Sequence, residues 1–100
     1  MKLTHNDTET VNVVLDETEF NWLIGHLTAQ GESDKVFADH FKHLREEVKK
    51  YAAFDAATRT AMMTIPFEQL AYISTLFINS AGIAHIDYKP AFTFEECLNS

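Results

Sequence analysis

Apolar and polar residues alternate in two short stretches of this chain, and each stretch runs directly into a helical pattern. Val11, Val13 and Leu15 alternate with Asn12 and Val14 ahead of Asp16-Glu17-Thr18-Glu19-Phe20. Fifty residues later, Ala61, Met63 and Ile65 alternate with Met62 and Thr64 ahead of Pro66-Phe67-Glu68-Gln69-Leu70. A side-chain period of two marks a strand with one buried face, and a switch to a period of 3.6 marks an amphipathic helix. The echo predicts two strand-helix units, at about 10–30 and 60–82, packed as pseudo-equivalents around one core.

In the first unit, Asp16 followed by Glu19 predicts a capping box, with Glu17 adding a second acid at the positive helix end. Phe20, Leu23, Ile24 and Leu27 then form one buried stripe to about Gln30, and Gly31 stands where a helix would stop. A second helix is predicted from Ser33 to about Ala53, with a narrow seam of Phe37, Phe41, Leu44, Val48 and Tyr51. Asp55 to Thr60 reads as a short turn or helical fragment. Pro66 suits the first turn of a third helix reaching about Ala81, with Gly82 beyond it. In that helix Leu70, Ile73, Phe77 and Ala81 match the first stripe, while Tyr72 and Leu76 form a second ridge almost opposite. Lys2–His5 and Ala84–Tyr88 are further strand candidates, and Thr93 with Glu96 could cap a last helical turn.

The expectation is therefore an α+β fold, mainly helical, with three helices on a two- or three-stranded sheet and a strand-helix pseudo-repeat. Its core is predicted to hold Val11, Val13, Leu15, Met63 and Ile65 from the sheet. The helices add Phe20, Leu23, Leu27, Phe37, Phe41, Leu44, Val48, Leu70, Ile73 and Phe77.

Composition narrows the class. A chain of 100 residues with 46% hydrophobic content supports one domain, 1–100, and one core. It holds no apolar run near the roughly 20 residues that a membrane span needs. Its first residues are too polar for a signal peptide, and a lone Cys97 excludes an internal disulfide framework. Cytoplasmic residence is the expectation.

Charge adds a direction. The net charge is −7, and six of the eight basic residues fall in the middle third, leaving both ends acidic. Without a basic patch the chain lacks the electrostatic footprint of direct nucleic-acid binding. A partner protein with a basic surface, such as a nucleic-acid-handling groove, would instead be attracted.

Candidate chemistry is sparse. His40, His43 and Glu47 lie within about 60° of one another on the second helix and are weak metal-ligand candidates. A further ligand would have to come from His26 or His85. Cys97 has no marked base and is expected near a mobile terminus, so nucleophilic chemistry is not expected of it. No phosphate loop, nucleophile elbow or paired carboxylates appear, and neither a cofactor nor enzyme activity is expected. The interleaved stripe of Lys35, Lys42, Arg45 and Lys49 reads as a solvated face.

Trp22 stands about 150° from the centre of the first stripe, beside His26, and Tyr72 and Leu76 are its counterparts on the third helix. Aromatics left over from a core stripe are enriched in binding hot spots. The resulting expectation is a non-enzymatic protein-binding module, an acidic inhibitor or neutralising protein of the phage anti-defence kind. It would use Trp22, His26, Glu17, Glu19, Tyr72 and Leu76 against a basic surface. Two alternatives are a homodimeric small-ligand binder or sponge, built on the doubly apolar third helix, and a histidine-based metal protein.

Overall fold

Two central strands set the architecture of the computed structural model, which describes residues 2–69 and 89–99. Among these residues are strands β1 (Lys2–His5), β2 (Thr10–Asp16), β3 (Ala53–Asp55) and β4 (Thr60–Pro66). They form one antiparallel sheet in the order β1-β2-β4-β3. The α+β class is as expected, but among the described residues the sheet has four strands rather than two or three.

The register between β2 and β4 carries the internal echo into three dimensions. Val13 faces Met63, flanked by Val11 opposite Ile65 and Leu15 opposite Ala61. Met63 follows Val13 by fifty positions, as Ile65 follows Leu15 and Ala61 follows Val11. Exchanging the two strands therefore maps each pair onto another, with a local two-fold axis at Val13–Met63. Each central strand has its own outer hairpin partner, and each enters a helix, at Glu17 and at residue 67.

One face of the sheet buries Val11, Val13, Leu15, Ala61, Met63 and Ile65, every second residue. On the other face Thr64 Oγ1 donates to Asn12 Oδ1 across the strands at 2.6 Å. The hairpin turns depend on aspartates. Asp7 Oδ1 accepts from the backbone of Glu9 and Thr10 at 2.8 and 2.7 Å, and these bonds hold its carboxyl below the usual range. Asp55 Oδ1 accepts from the backbone of Ala57 and Thr58, so the stretch expected as turn or helical fragment is the tip of the β3–β4 hairpin. β3 itself escaped prediction because three residues are too few to show alternation.

Helix α1 (Glu17–Ser33) begins with the predicted capping box: Asp16 Oδ1 accepts from Glu19 N at 2.8 Å, and Glu19 Oε1 accepts from Asp16 N at 3.0 Å. It does not stop at Gly31. A glycine inside a helix costs only about 1 kcal/mol, and packing against the next helix outweighs that. The chain turns at Asp34 instead, whose Oδ1 accepts from the backbone of Val36 and Phe37. Helix α2 therefore spans Ala38–Tyr51, later than the predicted start at Ser33. Phe41, Leu44 and Val48 pack on the core, but Phe37 and Tyr51 stay 58% and 66% exposed. Phe37 is thus not a core residue: it precedes the helix, and only the middle of the seam reaches the core.

The C-terminal segment is integral. Helix α3 (Phe94–Leu98) starts with the Thr93/Glu96 capping box, and Phe94 N donates to Asn21 Oδ1 of α1 at 2.7 Å. Phe92, Phe94 and Cys97 are buried, and Phe94 sits edge-on to Phe20 and Phe54 with centroids 6.0 and 5.5 Å apart. The expected mobile terminus is therefore a part of the core. Leu70, Tyr72, Ile73, Leu76, Phe77, Ala81, Gly82 and the strand candidate Ala84–Tyr88 lie outside the described residues. Among the described residues no helix is long and apolar enough to cross a membrane.

Candidate functional site

Trp22 and His26 are neighbours, as helical spacing requires, and their rings stack with centroids 5.2 Å apart. They are not on the surface. Trp22 is 4% and His26 8% exposed, which corrects the expectation of a protruding aromatic. The physical reason is visible along α1, where every residue from Trp22 to Leu27 is buried. A helix buried through consecutive residues is covered on all sides, so a residue off the main stripe is still interior. Burial also lowers the His26 pKa below its ordinary value of 6.5. Tyr72 and Leu76, its counterparts in the second unit, lie outside the described residues.

Glu17 and Glu19 stay near the surface at the start of α1, and the fold gathers more acids around them. In the sheet Asp16 lies opposite Thr60, and Asp55 pairs with the same Thr60 from the other side. Arg59, at the hairpin tip, donates from Nη2 to Glu17 Oε1 at 2.8 Å and from Nε to Glu17 Oε2 at 3.2 Å. Its Nη2 also reaches Glu95 on α3, and the guanidinium carbon lies 5.1 Å from the Phe94 ring centroid. The bonds to Glu17, then Glu95, raise the Arg59 pKa further above its ordinary value. Asp16, Glu17, Glu19, Asp55, Glu95 and Glu96 thus stand at one end of the molecule, with Arg59 set among them. Sequence reasoning named Glu17 and Glu19 as contact residues and Asp16 only as a helix cap. The others are distant in the chain, and no local pattern ties a hairpin tip to the C-terminal helix.

His40, His43 and Glu47 all lie on α2. His43 Nε2 lies 3.0 Å from Glu47 Oε1 in an exposed pair one helical turn apart, while His40 packs edge-on to Phe41. Among the described residues no group of three or more His, Cys, Asp or Glu is placed to hold a metal ion. Cys97 is buried, and that burial raises its thiol pKa, opposite to what a nucleophile requires. Of the face expected to be solvated, Lys49 is exposed while its ammonium lies over a ring, and Arg45 is half-buried. Arg45 Nη1 donates to Thr28 Oγ1 at 3.2 Å, and Lys49 Nζ lies 5.1 Å from the Phe92 ring centroid.

A second feature was not anticipated. A cleft of about 590 Å³ opens between α1, α2 and β4. Leu23 and Leu27 come to it from α1, Leu44 and Val48 from α2, and Met63 and Ile65 from β4. Its polar groups come from His40, Glu47, Tyr51, Thr64, Glu68 and Gln69. Comparison of the chain with protein-family models, curated proteins and solved structures finds no match.

Proposed function

We propose that this chain is a non-enzymatic binding protein that docks its acidic end on a basic surface of a partner protein. The observation that supports this most is that Arg59 ties Glu17 to Glu95, beside Asp16 and Asp55 paired on Thr60, with Glu19 and Glu96 in the first turns of the same two helices. They come from the end of β2, α1, β3 and α3, and Arg59 is bonded to two of them, Glu17 and Glu95. Such a concentration of one sign raises the local potential and steers an oppositely charged surface toward it. The partner contact is then electrostatic at its rim, without Trp22, which is interior.

The test is capture of partners by the immobilised protein at low and high salt, alongside a Thr18→Lys variant. Thr18 is exposed within the acidic end and can carry a new positive charge without loss of core packing. The expected result is one basic protein, released by salt and bound less by Thr18→Lys. Capture indifferent to both changes would reject the reading.

A further inference from the structure

The cleft between α1, α2 and β4 has the volume of a small-molecule site and a charge pattern of its own. Ligand sites commonly enclose roughly 300–1,000 Å³, are mostly apolar, and orient the ligand through a few polar groups. This cleft, at about 590 Å³, is lined by Leu23, Leu44, Val48 and Met63 among other apolar residues. Its ionised groups are carboxylates, Glu47 from α2 and Glu68 just after β4, and no lysine or arginine is among the described residues that line it. An anion placed there would meet two like charges and an apolar surface. A purely apolar ligand would leave the carboxylates unused.

We propose that this cleft binds a small organic cation, with an apolar body against Leu23, Leu44, Val48 and Met63 and an amine or guanidine head toward Glu47 and Glu68. The site is separate from the acidic end and does not depend on the partner-docking reading. Glu47 lines the cleft while its Oε1 lies 3.0 Å from His43 Nε2, one helical turn away on the exposed side of α2. Selectivity comes from the carboxylates, and affinity comes from the apolar surface that the ligand removes from water.

The experiment titrates the full chain with n-decylamine, decanoate and decanol, each below its aggregation limit, followed by amide chemical shifts. The amine is expected to bind about tenfold more tightly than decanoate, as two partly exposed ion pairs would allow. Shifts should centre on Leu44, Val48 and Met63. Glu47→Gln with Glu68→Gln should bring the three probes to similar affinity, while Val48→Trp, checked for folding by circular dichroism, should block all three. Equal affinities in the unaltered protein would overturn the proposal, and so would amine selectivity that survives the double glutamine variant. A dimer whose interface already covers Leu44 and Val48 would assign the cleft to a second copy. Binding of an amphipathic Leu/Lys peptide without binding of the amine would assign it to a protein partner.

Discussion

Arg59 meets Glu17 through two hydrogen bonds, and it does so from a backbone conformation that an arginine rarely adopts, φ 55°. The left-handed conformation closes the β3–β4 hairpin and aims the side chain at the start of α1. Through Glu95 and the Phe94 ring, the same side chain fastens α3. One residue thus links three elements that are far apart in sequence, at some conformational cost.

Replacing Arg59 separates that cost from the benefit. Arg59→Ala loses the ion pairs and keeps a side chain at positive φ. The pairs are partly exposed and screened by solvent, so their loss is a modest destabilisation. Arg59→Gly loses the same pairs but relieves roughly 1 kcal/mol of left-handed strain, partly offset by glycine's greater freedom when unfolded. Urea denaturation should therefore rank wild type above or near Arg59→Gly, with Arg59→Ala lowest. An alanine variant equal to the glycine variant would show that the backbone stores no strain there.

Gly31 lies inside α1 rather than beyond it, and a Cβ added there would meet Phe41 Cβ at 3.7 Å and Ala38 O at 3.8 Å. Both are ordinary contacts. Gly31→Ala is expected to stabilise the protein by about 0.5–1 kcal/mol, because alanine favours the helix and restricts the unfolded chain. Thermal denaturation reads this directly. A lower midpoint would mean that α1 and α2 pack more tightly than these distances indicate.

His26 should make stability depend on pH. Burial disfavours its charged form, so its folded pKa lies below the unfolded value of 6.5. Well above 6.5 the residue is neutral in both states and contributes no slope. As pH falls through 6.5 the unfolded chain takes up a proton that the folded one does not, and stability declines until the folded pKa is passed. The difference in unfolding free energy between about pH 7.5 and about pH 5.5 should shrink in His26→Gln. An unchanged difference would assign the pH response to other groups.

Cys97 reports on α3. Its thiol is buried and its pKa raised, so alkylation in the native protein should be far slower than in denaturant. Phe94→Ala removes a ring packed on Phe20 and Phe54 and should cost about 3–5 kcal/mol. Much of the stability of a small domain would go with it. Alkylation of Cys97 should then accelerate sharply. Fast alkylation in the unaltered protein would show that α3 is not held on the core.

What the chain alone determined is what depends on neighbours in sequence. The alternation at Val11–Leu15 and Ala61–Ile65 placed both central strands and chose their buried faces. The Asp16/Glu19 and Thr93/Glu96 pairs marked two helix starts, because a capping box closes within four residues. The fifty-residue echo picked out the two strands that pair at the centre of the sheet, with Val13 opposite Met63.

Only the tertiary structure decided what depends on the distance between remote groups. Trp22 and Leu23 are adjacent in the chain, and helical periodicity separates their directions but cannot say whether a second layer covers both. Arg59, Glu17 and Glu95 converge because a hairpin tip, a helix start and the last helix meet at one end of the sheet. The cleft exists because α1, α2 and β4 enclose a space that no one of them outlines. Local hydrogen bonding and side-chain period are written along the chain, whereas burial, ion pairing and cavity shape are properties of the packed whole.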